Sequence, residues 1–334
     1  MHPQPPTSAS SAASRRAFLK TAAGTATAAS LAWPARTEAA TKKPPVIDTH
    51  MHVWADDPKR FPYAYPYSSD FKDPKDPGTL EMLMADMDAN GQTHCILVQV
   101  IFHGWDNAYM AYCVKQEPKR LRAHGLIDPT DPNVADKLEY WVTEHGLHGM
   151  RFSAIYYRDG RHGGDEWITS KAHDAAWKKA AELKAAFNFF IATQQLPKLE
   201  KMVQRHPEVR ITIDHMSQAK LGDKDPMPEF KKLLAMSKYP NVWVKISELT
   251  LVSKSGQYPF RDAWPWVRRL YDAFGPDRLL WGTGYPGAAR AAYKRPTLEM
   301  EIDLIREEIP FFTTEDREKI LGRNAAYLWR IDDA

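Results

Sequence analysis

The sequence contains little of what marks a disulfide-rich, membrane-spanning or nucleic-acid-binding protein. Its 334 residues include two cysteines, Cys95 and Cys113, which exclude a disulfide framework and leave one bridge at most. The formal net charge is +3, part of it near the N-terminus, and no basic stripe indicates a nucleic-acid partner. No apolar run is long enough to predict a membrane span.

The first 39 residues are predicted to form an export signal that is removed from the mature protein. Ser14-Arg15-Arg16-Ala17-Phe18-Leu19-Lys20 is a twin-arginine pattern, and an Ala/Thr-rich run follows it. The small residues around Ala39 suit cleavage there. A periplasmic or secreted location follows from this interpretation. The alternative is a basic N-terminus that is never cleaved.

Residues 40–334 are predicted to form a single (β/α)₈ barrel of the TIM type that ends in a C-terminal helix. Short apolar runs alternate with segments of helical periodicity, and no Pro/Gly linker divides them. The predicted strands are 46–53, 94–100, 121–127, 149–153, 188–193, 210–215, 242–247 and 279–283. A doubly wound open sheet is the alternative, but no glycine-rich phosphate loop follows the first strand.

Two histidines, His50 and His52, stand at the end of the first predicted strand. Side chains alternate between the faces of a strand, so these two imidazoles point the same way. Such a pair can hold one divalent metal, or a substrate carbonyl and the water that attacks it.

Other polar residues also fall at the ends of predicted strands, where a barrel carries its active site. They are Gln99, Thr193, Gln194, Asp214, His215, Lys245, Ser247 and Glu248, and they are joined by His124 within the third predicted strand and Arg151 in the fourth. His215 is the best third ligand or catalytic imidazole. Arg151 would supply a fixed cation for a substrate carboxylate or enolate, so a small anionic substrate is expected.

Several motifs in this order resemble the amidohydrolase-related group of the amidohydrolase superfamily. They are Ile47-Asp48-Thr49-His50-Met51-His52-Val53-Trp54, Gly149-Met150-Arg151-Phe152, Ile213-Asp214-His215, Val244-Lys245-Ile246-Ser247, Leu279-Leu280-Trp281-Gly282-Thr283 and Ile320-Leu321-Gly322-Arg323-Asn324-Ala325-Ala326. The group includes lactonases and nonoxidative decarboxylases. The resemblance implies a distorted barrel with a mononuclear divalent metal, zinc or manganese, on His50, His52 and His215. Some lactonases of the group have a metal-free version of this site.

The sequence departs from the group at Gly284. Such families usually carry an aspartate after the last strand, within Trp-Gly-(Ser/Thr)-Asp-(Trp/Tyr)-Pro, where it binds metal or takes a proton from water. Three explanations are open. Another carboxylate has taken over, with Glu248 the first candidate and Asp214 the second, and Asp48 a poorer one because it lies deeper. For Asp214, a role in orienting His215 or another histidine is favoured over catalysis. Alternatively the reaction is a decarboxylation that needs no base there, or catalysis has been lost and binding kept.

The leading hypothesis is a lactonase-like hydrolase that opens a cyclic ester of an organic or sugar acid. The predicted site residues are His215, Glu248 and Arg151 for catalysis, Gln99, Arg151, Trp54 and Tyr285 for substrate contact, and His50, His52 and His215 for the metal. The alternatives are a non-catalytic periplasmic binding barrel and a metal-dependent decarboxylase. The sequence is also compatible with a homodimer.

Overall fold

Eight parallel strands form one sheet whose spatial order follows the chain. The computed structural model describes residues 43–68, 70, 72–219 and 226–332, and the predicted export signal lies outside them. The strands pair in the order β1-β2-β3-β4-β5-β6-β7-β8, and helices lie between them. The predicted (β/α)₈ barrel is therefore confirmed. None of the described helices combines the length and apolar character that a membrane crossing requires.

The strands are short and almost entirely buried. Their bounds are β1 Ile47–Met51, β2 His94–Val98, β3 Leu121–Leu126, β4 Gly149–Phe152, β5 Ala186–Phe189, β6 Ile211–Ile213, β7 Val242–Ser247 and β8 Leu279–Gly282. The α-helices are α1 Leu80–Ala89, α2 Ala108–Gln116, α3 Val134–Thr143, α4 Lys171–Leu183, α5 Leu196–Arg205, α6 Met227–Ala235, α7 Leu249–Val252, α8 Trp264–Phe274, α9 Ala289–Ala292, α10 Leu298–Asp303, α11 Thr314–Glu318 and α12 Asn324–Trp329.

Short 3₁₀ and π segments complete the described elements. The 3₁₀ segments are Ala154–Gly163, Glu166–Thr169, Thr193–Gln195, Asp214–Gln218, Met236–Lys238, Arg261–Ala263 and Pro276–Arg278, and the π segments are Leu304–Glu308 and Lys319–Arg323. Strand five begins and ends earlier than the predicted 188–193. The apolar run continues through the buried Ile191 after the backbone has left the sheet, so hydrophobicity alone misplaced the strand end.

Backbone and side-chain hydrogen bonds near the strand ends join β1 to the segment that follows β8. Met51 bridges Gly284 in parallel, and the His52 amide donates to the Gly284 carbonyl at 2.8 Å. The Thr283 hydroxyl donates to Asp48 at 2.5 Å. Asp48 therefore helps to close the barrel, consistent with its expected deep position.

The N-terminal end of the barrel is closed by the last helix. Ile47 of β1 and Leu280 of β8 pack in one buried cluster with Leu328 and Trp329 of α12. The Trp329 indole donates to Nε2 of the fully buried His124 at 2.7 Å. His124 was predicted among the polar residues of the mouth. Instead, its side chain is bound to the helix that closes the N-terminal end of the barrel. Cys95 and Cys113 are both free buried thiols.

A buried carboxyl behind β8 predicts a pH-dependent stability. Burial raises the pKa of Glu301 to about 8 from 4.5, with the nearby Arg290 opposing the shift. Between about pH 4.5 and about pH 8 the folded state therefore holds a proton that the unfolded chain releases. The free energy of unfolding falls as the pH rises through this window. We expect Glu301→Gln to gain stability relative to wild type by roughly 1.4 kcal/mol per pH unit across that window.

Urea unfolding of the full-length protein at pH 5, 7 and 9 would measure this effect. Glu299→Gln, an exposed position on the same helix, is the matched control and should follow the wild-type pH curve. A Glu301→Gln difference that does not change with pH would contradict the prediction.

Candidate active site

Polar side chains from five strands and the turns that follow them meet inside the mouth of the barrel. The residues brought together are His50 and His52 from β1 and its end, Arg151 from β4, Asn188 from β5, Asp214 and His215 after β6, and Lys245 from β7. All seven are buried. Buried polar groups need partners, and here they find them mainly in one another.

Asp214 is the centre of this network. Its Oδ1 accepts from Nδ1 of His50 and contacts Nζ of Lys245, each at 3.1 Å. Its Oδ2 accepts from Nδ2 of Asn188 at 2.6 Å and Nε of Arg151 at 3.3 Å. Burial alone would raise the pKa of Asp214, but Lys245, His50 and Arg151 hold it well below its usual value. Asp214 therefore remains an ionised anchor that orients its neighbours.

Lys245 is the positive charge that balances this anchor. Its side chain is fully buried on β7, and its ammonium also donates to Oδ1 of Asn188. Burial lowers the pKa of Lys245, and the adjacent Asp214 opposes that shift. Asn188 was missed in the sequence because it stands at the beginning of the strand predicted there, where no mouth residue is expected. Its only sequence signal is an amide in an apolar run.

The three imidazoles each have one ring nitrogen fixed by a second partner. Nδ1 of His50 lies 3.1 Å from Oδ1 of Asp214, which only accepts, and 3.2 Å from Nζ of Lys245, so the ring carries its proton on Nδ1 when it donates to Asp214. Nε2 of His50 is then left buried without a partner. Nδ1 of His52 donates to the Val98 carbonyl at 2.7 Å, and Nδ1 of His215 meets the Ser247 hydroxyl at 2.8 Å.

Burial keeps all three rings neutral. It lowers the pKa of His52 to about 3 and also lowers the pKa values of His50 and His215. The ring centroid of His50 lies 4.8 Å from that of His52 and 4.3 Å from that of His215. Neutral imidazoles this close can share one electrophilic atom.

This arrangement suits a metal such as zinc. His50, Asp214 and His215 offer ligand atoms within 4.8 Å of one another. Four donors already engage both oxygens of Asp214, so its better role is to orient His50, as outer carboxylates do around metal-binding histidines. The orphaned Nε2 of His50 is then a natural ligand, with His215 and the adjacent His52 completing a set of imidazoles.

His215 enters the site from an unusual backbone. His215, Met216, Ser217 and Gln218 all have φ between 49° and 59°, in the left-handed region that costs about 1 kcal/mol or more per non-glycine residue. The Ser217 hydroxyl fastens the turn to the Ile191 carbonyl at 3.0 Å. Strand six therefore ends at Ile213, before the predicted 215, and the turn carries His215 to the mouth.

Glu248 lies beside His215 at the end of β7. It too is left-handed, with φ 53°, and its side chain is buried. Its Oε1 accepts from Nη2 of Arg295 at 3.0 Å, and its Oε2 lies 3.8 Å from Nε2 of His215. Arg295 was not predicted from the sequence, since it lies in the loop after β8 and no motif marks it.

The predicted substrate contacts occupy different positions. Gln99 is fully buried and its Nε2 donates to the Asp106 carbonyl at 2.7 Å, toward the adjacent loop. Trp54 is also buried and its indole donates to the Asp76 carbonyl at 3.0 Å. Tyr285 is partly exposed, lies 5.5 Å from His52 and stacks on Tyr293 at 4.2 Å. Tyr285 therefore contacts an imidazole of the site, whereas Gln99 and Trp54 donate to loop carbonyls.

Aromatic rings line the opposite side of the mouth. The Arg151 guanidinium lies 4.6 Å above the Phe190 ring, which is 5.8 Å from His215. Phe190 contacts Tyr156, and Tyr156 stacks at 4.5 Å on Tyr67 from the long loop after β1. The tyrosine loop therefore packs onto the barrel while it borders the site.

Relatives with named activities share most of this chain. The 4-sulfomuconolactone hydrolase of Hydrogenophaga intermedia is 27% identical over 285 residues, covering 84% of this chain and 88% of that protein. The L-fucono-1,5-lactonase of Burkholderia ambifaria is 24% identical over 290 residues, covering 86% and 96%. Both names describe lactone hydrolysis.

Solved structures share the fold. A probable 2-pyrone-4,6-dicarboxylic acid hydrolase of Acinetobacter baumannii with bound citric acid has a TM-score of 0.69 at 19% identity, covering 85% of this chain and 99% of that one. A zinc-bound amidohydrolase of Burkholderia multivorans has a TM-score of 0.66 at 18% identity, covering 86% and 99%. The 5-carboxyvanillate decarboxylase of Sphingomonas paucimobilis has a TM-score of 0.59 at 16% identity, covering 86% and 99%.

One protein-family model covers all of these features. The model described as amidohydrolase matches residues 47–331, from the first residue of β1 to just beyond α12. The match therefore includes every residue of the Asp214 network and all three imidazoles. The chain belongs to the amidohydrolase family, and it is a hydrolase.

Proposed function

We propose that this protein hydrolyses a lactone that carries a carboxylate or a similar anionic group. The observation that carries the proposal is the meeting of three neutral imidazoles with Arg151 around the Asp214 anchor. Lactonase relatives that span most of the chain support the same reaction class. The imidazoles would hold a divalent metal that polarises the ring carbonyl, and the arginine provides a cation for the anionic group.

Different residues of the site would hold the metal that polarises the lactone carbonyl, orient the imidazoles and border the substrate. A divalent metal, when bound, would be held by His50, His52 and His215, and would polarise the lactone carbonyl and lower the pKa of a water. Asp214 fixes the His50 ring, and Ser247 fixes the His215 ring, so neither imidazole must reorient during the reaction. Tyr285 borders the imidazoles on one side, and Phe190 does so on the other.

Arg151 is suited to anchor the anionic group. Its Nε is bound to Asp214, and within the described residues its two terminal nitrogens form no hydrogen bond. A guanidinium presents these nitrogens as a planar fork to a carboxylate, which an ammonium cannot reproduce. We expect Arg151→Lys to raise KM for a carboxylated lactone by about 10- to 100-fold, the value of one charge-assisted hydrogen bond or slightly more.

The matched comparison uses a second substrate rather than a second variant. An uncharged lactone with the same ring should show less than a threefold change in KM, because it makes no contact that the arginine fork supports. Steady-state kinetics on both lactones measures the difference. Equal losses on the two substrates would contradict an anchoring role for Arg151.

The proposal as a whole is tested with purified full-length protein and a panel of lactones. The panel contains five- and six-membered rings with and without carboxylates, and ring opening is followed by proton release. Turnover of carboxylated lactones is the expected result. Release of carbon dioxide from aromatic carboxylic acids would identify a decarboxylase instead. Saturable binding of lactones without any turnover would identify a binding protein.

A further inference from the structure

We propose that Glu248 supplies the active-site carboxylate for which position 284 has no side chain, and that Gly284 is glycine because Glu248 fills its space. This inference rests on the proposed hydrolysis and assigns its missing proton acceptor. The two residues follow neighbouring strands, Glu248 after β7 and Gly284 after β8. Side chains from adjacent strand ends can therefore reach the same point above the barrel.

The first argument is spatial. A Cβ added to Gly284 would lie 3.2 Å from Oε1 of Glu248, closer than carbon and oxygen normally approach. Any longer side chain at position 284 would have to displace the glutamate or turn away from it. Gly284 also has φ 120°, a conformation that L side chains rarely adopt. Both the backbone and the available space thus disfavour an aspartate at position 284 while Glu248 is present.

The second argument is the cost of placing Glu248 where it is. A non-glycine residue in the left-handed region loses about 1–2 kcal/mol, and a buried carboxylate loses its hydration as well. Glu248 incurs both costs, because its φ is 53° and its side chain is only 7% exposed. Residues held in such sparsely populated conformations cluster at active sites, and the neighbouring His215 is another, with φ 49°.

The third argument is the direction of the carboxylate. Arg295 donates from Nη2 to Oε1 and from Nη1 to the Thr250 hydroxyl, which fixes one side of Glu248. Oε2 faces Nε2 of His215 at 3.8 Å, too long for a hydrogen bond. Within the described residues Oε2 accepts no hydrogen bond. It therefore remains available beside the imidazoles to accept a proton from water.

The chemical step balances with these groups. Glu248 takes one proton of water as the water oxygen bonds to the lactone carbonyl carbon. When the tetrahedral intermediate collapses, the ring C–O bond breaks and the protonated Glu248 returns that proton to the leaving oxygen. The products are a ring-opened hydroxy acid and the original carboxylate. A positioned general base of this kind contributes about 10²- to 10⁴-fold to the rate.

The test compares four full-length variants with the wild type on a lactone that the wild type hydrolyses. Glu248→Gln, which keeps the size of the side chain, should lower kcat by about 10²-fold or more, with a much smaller change in KM. Glu166→Gln, an exposed carboxylate after β4, is the control and should retain wild-type kcat. Glu248→Gly should lose activity likewise and regain part of it in the presence of formate, which refills the space with a carboxylate.

The fourth variant changes position 284 alone. Gly284→Asp alone should lose activity, because it crowds Glu248 and strains the backbone. A wild-type kcat for Glu248→Gln, or a Glu248→Gly protein that is folded by circular dichroism and gains nothing from formate, would overturn the proposal. If the wild type hydrolyses the lactone in that case, the proposed function stands without Glu248. If the wild type hydrolyses none, both fail together.

Discussion

His215→Asn should lower kcat for lactone hydrolysis by about 10³-fold, the effect of removing a principal group that stabilises the developing oxyanion. Asparagine is the sharpest replacement, because it tolerates the left-handed backbone that His215 adopts at φ 49°. An alanine there would add backbone strain to the loss of the imidazole. The Asn variant therefore separates the chemistry of the ring from the stability of the turn.

Steady-state kinetics and thermal unfolding of the same preparations check this expectation. The control is His145→Ala, whose ring contacts Tyr140 and Trp141 on the outside of the barrel. It should retain the wild-type kcat. A His215→Asn protein that unfolds within a few degrees of the wild type and keeps its turnover would exclude His215 from the reaction.

Lys245→Met should destabilise the full-length protein by about 3–5 kcal/mol, the usual cost of leaving one member of a buried ion pair without its partner. Methionine fills a similar volume, so packing is largely kept. What is lost is the ammonium that contacts Asp214 at 3.1 Å and donates to Asn188 in a fully buried position. Asp214 would retain Arg151 and His50, but with less positive charge around it.

A double variant shows that the effect comes from charge. Adding Asp214→Asn to Lys245→Met removes both members of the pair, so the double variant should be more stable than Lys245→Met alone. Urea unfolding measures all three proteins, with Lys232→Met on the exposed face of α6 as a control near wild-type stability. Additive losses in the double variant would contradict a charge-based explanation.

The parts of this structure that follow local rules were predictable from the sequence. Strand seven has the predicted bounds, because a β-branched run and flanking polar residues mark both ends. The pair His50 and His52 was recognisable because the alternation of a strand places both rings on one face. The role of Asp214 as an orienting partner, favoured over catalysis for that residue, agrees with its four hydrogen-bonding neighbours.

The parts that depend on contacts distant in sequence were not predictable. Arg295 binds Glu248 although the two residues are 47 positions apart in the sequence, and no local pattern predicts that pair. The left-handed turn from His215 to Gln218 contains no glycine, so the residues that usually reveal such a backbone are absent. The space shared by Gly284 and Glu248 appears only when β7 and β8 stand side by side.

The closed base of the barrel has a consequence for synthesis of the chain. Ile47, near the beginning of the described chain, packs in one buried cluster with Leu328 and Trp329, near its end. A growing chain on the ribosome lacks that second surface until α12 has been synthesised. The barrel must therefore complete its folding after the last helix is released, and a truncation that removes α12 exposes the underside of β1.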